Sequence, residues 1–192
     1  MSDPLRVNEL EDESLRNQFN LLLEAMESIT TFDPNREEGA YDALNQRIQQ
    51  EVTDKPILAS IVSIIGKSLL EAAVSYLNLD TSQTVIKCLI QTYPSALLGT
   101  SDGYLGRTVF LISRHPEHCI LMPWIATNYH WVLGQSRGPR IVFDLLDMYS
   151  QRRRNSCTSA ILKTSLRHIL WHLLKHIRPM MVSFTIFSNL KI

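Results

Sequence analysis

The chain is expected to be all-α: a short solenoid of helical pairs with helical caps. Three observations predict this. Apolar residues recur at helical spacing through most of the 192 residues. The helical stretches are short and are parted by Gly, Pro and Asp turns. Several of them resemble one another, as the units of a repeat do. A chain of this length suits one domain with a substantial core.

The first helix is expected over "ESLRNQFNLLLEAMESI" at 13–29, where Leu15, Phe19, Leu22, Leu23, Met26 and Ile29 share one face. "TTFDPNREEG" at 30–39 reads as a loop, with Asp33-Pro34 as its turn starter. A more polar helix follows over "AYDALNQRIQQEV" at 40–52. Residues 1–55 form an acidic cap region, and the repeats with a C-terminal cap helix span 56–178. Pro56 opens the first of them, since a proline in a first helical turn lacks only an N–H that would have no partner. The doublets Ile57-Leu58 and Ile61-Val62 suggest another helix, with too few residues before Lys67 for a projecting turn. Beyond 178 lies a tail, in which "VSFTIF" at 182–187 has the alternation of a strand.

The repeat rests on "GKSLLEAA" at 66–73, "GRTVFLIS" at 106–113 and "PRIVFDLL" at 139–146. Each opens with Gly or Pro, then a cation, then Ser, Thr or Ile, then two apolar residues. A doublet pattern follows the first two: Val85-Ile86 with Leu89-Ile90, and Ile120-Leu121 with Trp124-Ile125. That spacing places four side chains on one helix stripe. "VSYLNLDTSQ" at 74–83 is expected to lengthen the link inside the first pair. Pro123 falls between the second set of doublets, so that helix is expected to begin near Met122, which keeps the proline in its first turn.

This organisation resembles the ankyrin repeat family over about residues 66–150. Gly106, Arg107 and Thr108 match the family's G-x-T opening, Phe110 takes the Leu place and Ser113 the small Ala place. Ser68, Leu70 and Ala73 fill those places in the preceding unit. "IKCLIQTYPSALL" at 86–98 is similar to the second-helix ending of a divergent subgroup. No unit carries the family's Pro-Leu-His, and Leu146 stands where a small residue belongs. The resemblance implies a non-enzymatic scaffold that binds a protein partner through projecting turns and a concave helix face. "LLGTSDGYLG" at 97–106 and "NYHWVLGQSRGP" at 128–139 take equivalent places in successive units. The candidate partner-binding residues are Tyr104, Arg107, Tyr129, His130, Trp131 and Arg137, because Tyr, Trp and Arg are enriched in binding hot spots. Packing between neighbouring turns is the competing role for Trp131.

Charge supplies a second functional reading. Residues 1–55 hold 13 Asp/Glu against 5 Lys/Arg, and residues 56–192 hold 6 against 14, so a zero net charge hides halves of −8 and +8. A basic helical nucleic-acid binder using 137–178, with "QRRRN" at 151–155 on phosphates, is the alternative from a different class. No aromatic residue adjoins that arginine run to stack on bases, and attraction between the halves accounts for the asymmetry more simply.

Catalytic and metal chemistry find little footing. His168, His172 and His176 recur every four residues, a spacing that can hold a metal. Ile169 occupies the place of the zincin glutamate, however, and no acid lies beyond Ser150 to orient the rings. The polar face of a cap helix explains the three histidines. His115, His118 and Cys119 are too tightly spaced for a zinc finger, and a turn between helices explains them. Gly103 and Gly106 belong to no phosphate loop, because neither a third glycine nor a Gly-Lys-Ser/Thr follows. The expectation is a chain with no cofactor and no metal, and no enzyme. Cys88, Cys119 and Cys157 are few, odd in number and far apart, which suits a reducing compartment. The longest apolar run, "PILASIVSIIG" at 56–66, is about half of a membrane span, and the N-terminus has no signal-peptide pattern. A monomer in the cytoplasm or nucleus is expected, away from membranes.

Overall fold

The computed structural model describes residues 4–29, 39–77, 79–99, 107–114, 118–133 and Arg167. In these residues the chain is mostly helical. A two-residue strand β1 (Leu5–Arg6) leads through a 3-10 turn (Val7–Glu9) into α1 (Glu13–Ile29). Asp12 starts α1 by accepting the Ser14 and Leu15 N–H groups on Oδ1 at 2.9 and 3.1 Å, which satisfies donors that a helix start leaves open. Helix α2 (Gly39–Asp54) follows, slightly longer at both ends than its apolar pattern indicates.

Pro56 opens a 3-10 turn (Pro56–Ser60), and Ile61–Val62 is a strand, β2, pairing in parallel with β1. The helix expected over 57–62 is therefore absent. The β-branched run Ile61-Val62 favours extended backbone, and pairing with Leu5–Arg6 satisfies it. The expected strand at 182–187 lies outside the described residues.

Helix α3 (Leu69–Tyr76) begins at Ser68, whose hydroxyl accepts the Glu71 N–H at 3.1 Å. Only two residues separate the end of α3 from the start of α4 (Leu79–Thr92). The long link expected over 74–83 is thus not a loop, because the additional residues extend α4 at its N-terminus. A second proline-led 3-10 turn (Pro94–Leu98) buries Ala96, Leu97 and Leu98. Then come α5 (Arg107–Arg114), α6 (Met122–Asn128) and a single turn α7 (His130–Leu133).

Both doublet stripes are present, but only one is complete. Val85, Ile86, Leu89 and Ile90 of α4 are all buried. In the later set Leu121 and Ile125 are buried, Trp124 is half-buried and Ile120 is exposed. Pro123 accounts for the difference. It stands in the first turn of α6, so His118–Leu121 are left as a 3-10 turn out of phase with the helix.

Helix α3 packs against α1, α4 and α5, and α2 packs against α4 and α1. One apolar core runs from Val7 through α1–α6 to Val132. Helix α3 sits at its centre, with Leu69 to Val74 all buried.

One of those residues is an acid. Glu71, 3% exposed, accepts from Arg107 Nε of α5 at 2.9 Å. The pair crosses the α3–α5 seam, with the Arg107 side chain one-third exposed. Removing one partner of such a pair leaves a buried charge without its counter-ion. Arg107→Met is expected to cost about 2 kcal/mol in urea unfolding, below the roughly 3–5 kcal/mol of a fully buried pair because Arg107 is one-third exposed. Glu71→Gln/Arg107→Met should lose less than the two single changes sum to, a coupling that a double-mutant cycle measures.

The start of α5 is held closely to the turn before it. The Arg107 N–H reaches the Gly99 carbonyl at 3.3 Å, and a Cβ on Gly99 would stand 2.2 Å from Thr108 Oγ1. Thr108 is wholly buried, and a side chain enclosed at interior packing density has little room to turn away. Gly99→Ala should therefore destabilise the protein by about 1–3 kcal/mol, as overpacking does. Adding Thr108→Ala should restore part of that loss in the same unfolding measurement.

Candidate functional site

The most exposed apolar feature among the described residues is a turn that the sequence reading passed over. Val62 pairs antiparallel with Ser68, and the Ser63 N–H donates to the Lys67 carbonyl at 2.9 Å. Between them the Gly66 N–H closes a four-residue turn on the Ser63 carbonyl at 2.8 Å. Gly66 has φ 80°, the left-handed region where glycine carries no Cβ penalty. The arrangement is a hairpin turn with a glycine bulge. Its central residues, Ile64 and Ile65, are 71% and 73% exposed. The turn therefore projects despite its shortness, which corrects the expectation that too few residues precede Lys67.

Side chains from two directions hold this turn. Lys67 Nζ donates to Glu27 Oε1 of α1 at 2.9 Å and to the Tyr76 hydroxyl of α3. It also lies 4.1 Å from the centre of the Tyr76 ring, within range of a cation–π contact. The Ser63 hydroxyl accepts the Lys67 N–H at 3.1 Å. On the other side, Arg16 of α1 donates to the Val7 and Leu10 carbonyls, fixing the leading segment that carries β1. Between this segment, α1 and the turn runs a groove of about 480 Å³. Asn20 and Leu23 of α1 line it, with Val7 and Asn8 at one end and Ile64 and Ile65 at the other.

A second surface lies at α6–α7. Trp124 and Tyr129 meet edge to face with ring centres 5.4 Å apart, and Lys87 of α4 stands 5.9 Å from the Trp124 ring. Burial raises the Tyr129 hydroxyl above its ordinary pKa of 10.0. Tyr129 and Trp131 both pack against the core. The projecting turn expected over 128–139 is, in its described part, the helical turn α7. Its start is set by the Val132 N–H bonding to the Tyr129 carbonyl at 3.0 Å.

Of the six candidate residues, Arg107, Tyr129 and Trp131 have described side chains. Arg107 is engaged with Glu71, and Tyr129 and Trp131 flank the start of α7. His130 contributes backbone to α7, and its side chain lies outside the described residues, as do Tyr104 and Arg137. Ile64 and Ile65 were absent from the candidates, although Ser63 and Gly66 stand at the first and fourth positions that turns favour. His118 is fully buried, whereas the His168, His172 and His176 trio and the 151–155 arginine run are outside the described residues. Among the described residues no three His, Cys, Asp or Glu side chains are grouped to hold a metal. None of the described helices is long and apolar enough to cross a membrane. Compared with protein-family models, curated proteins and solved structures, the chain matches none.

Lys67 makes the turn's anchorage sensitive to pH. Burial opposes its charge, but the hydrogen bonds and attraction to Tyr76 and Glu27 outweigh that, so its pKa lies above 10.5. A cation whose folded pKa is raised stabilises the fold fully below its unfolded pKa, and this contribution fades as pH climbs through the folded value. The stability gap between the unaltered chain and Lys67→Met should therefore be constant up to about pH 9 and close above the ordinary lysine value of 10.5. Urea unfolding across an alkaline series measures it.

Proposed function

We propose that the chain is a non-enzymatic protein-interaction module, a short ankyrin-like solenoid of helical pairs that presents its turns to a protein partner. The observation that carries this reading is the hairpin turn at Ile64-Ile65. Two isoleucines stand in water at the tip of a turn that hydrogen bonds and a lysine hold in place. Burying them on a partner yields roughly 1.5–3 kcal/mol each, and a fixed turn loses little entropy on binding. The repeat reading is supported by the packing of α3 on both α1 and α5 and of α4 on α2, and by the place of the turn directly before α3. Two cations that the repeat aligns also act alike. Lys67 pairs with Glu27 of α1, and Arg107 pairs with Glu71 of α3, each reaching the helix one unit earlier.

Affinity capture with the intact chain tests this. Ile64→Ser/Ile65→Ser should reduce recovery of a partner at least about tenfold, the equivalent of 1.4 kcal/mol, with helical content unchanged by circular dichroism. Trp131→Ala alone, at a residue that packs on the core, should lower thermal stability as well as recovery. A partner recovered undiminished by the double isoleucine variant would remove the turn from the interface.

A further inference from the structure

Resting on the protein-interaction reading, we infer that the groove between α1 and the Ile64-Ile65 turn takes a short acidic, apolar segment of a partner protein. Leu23, Ile64 and Ile65 give the groove its apolar surface. Its charged lining is Arg16, Lys67 and Glu27. Lys67 and Glu27 neutralise each other at 2.9 Å, so the charge left over is that of Arg16.

Arg16 is bonded without being neutralised. Its Nε donates to the Val7 carbonyl at 3.2 Å and its Nη2 to the Leu10 carbonyl, but it forms no ion pair with any described residue. A guanidinium has more N–H donors than those bonds occupy, so donors remain for a carboxylate. Arg16 is half-buried, and salt screens such a charge less than a fully exposed one. Two amides complete the lining. Asn8 and Asn20, the latter one turn after Arg16 on α1, make no side-chain hydrogen bond with any described residue. An amide both donates and accepts, as the main chain of an extended peptide requires of its receptor.

Exposed charges nearby do not reverse this preference. Glu9 and Glu24 stand in water without lining the groove, and exposed Arg6 beside Val7 opposes them. Charges so placed are screened by salt and contribute little to a contact. A basic segment would bring like charge against Arg16, which is unfavourable. Single-stranded nucleic acid would find no aromatic side chain to stack on, since none lines the groove.

Fluorescence anisotropy with the full chain tests the inference, using short labelled peptides that alternate isoleucine with glutamate, glutamine or lysine. The glutamate peptide should bind most tightly, and more weakly as salt rises. The glutamine peptide should bind about fivefold less tightly, and the lysine peptide least. Ile64→Ser/Ile65→Ser should weaken the glutamate peptide about tenfold. Because Arg16 also holds the leading segment, the charge is tested at Asn20 instead. Asn20→Asp places a carboxylate four residues from Arg16, where it competes for the guanidinium. It should weaken the glutamate peptide about fivefold and leave the lysine peptide no weaker, with the helical content of the unaltered chain. Equal binding of the glutamine peptide, tighter binding of the lysine peptide, or indifference to Asn20→Asp overturns the acidic specificity. Self-association of the chain that the isoleucine change abolishes also overturns it, in favour of a second copy. If no peptide binds, or binding ignores Ile64 and Ile65, the groove is rejected as a receptor; the capture experiment then decides separately whether the turn binds a partner.

Discussion

Helix α3 has almost no solvent face, and the rest of the structure is arranged around that constraint. It is eight residues long and buries six of them in succession, Leu69 to Val74. A helix that short has little stability of its own, so its neighbours must enclose it. Helices α1, α4 and α5 do so, and Ala72 and Ala73 are both fully buried at the centre. Enclosure carries Glu71 inside as well. An acid there is tolerable only with a counter-charge, and Arg107 at the first position of α5 provides it. The register of α5 on α3 is thus tied to one ion pair, and the contact of Gly99 with Thr108 limits how far the preceding turn can shift.

The same logic operates one unit earlier with a more exposed pair. Lys67 precedes the Ser68 cap of α3 and reaches back to Glu27 near the end of α1. The two links differ in what their loss costs. Glu71 is buried and its side chain has little access to water, whereas Glu27 is 44% exposed and water can replace much of what Lys67 gives it. The first link therefore bears mainly on fold stability. The second bears on the position of the turn that Lys67 closes, and so on whatever that turn contacts.

Much of the helical architecture was legible because it rests on period. The face of α1 from Phe19 to Ile29 and the doublets of α4 gave their elements directly. Pro123 also marked the start of α6. What period could not convey was the conformation of short apolar runs. Ile57, Leu58, Ile61 and Val62 fit a helix stripe as written, and only pairing with Leu5–Arg6, over fifty residues away, makes them a 3-10 turn and a strand. Likewise "VSYLNLDTSQ" was expected to lengthen the link inside the first pair, yet most of it is helix. The candidate site was less legible than the fold. Aromatic and arginine residues drew attention to 128–131 and Arg107, where the core and an ion pair hold them, while Ile64 and Ile65 merged into an apolar run.

Two isoleucines at the centre of a turn have a physical reading. Turn centres favour Gly, Pro, Asn, Asp and Ser, each for a conformational or hydrogen-bonding reason, and isoleucine offers none of these. Ser63 and Gly66 already supply the hydroxyl acceptor and the left-handed residue that this turn needs. Polar residues at 64 and 65 would satisfy it equally well and would not leave two large side chains in water. Burial elsewhere in the fold gives no compensation, since both remain more than two-thirds exposed. Where a sequence breaks a local rule that the fold does not require it to break, the gain is expected at a functional site. The isoleucine pair meets that criterion, and Trp131 and Arg107, which the fold itself uses, do not.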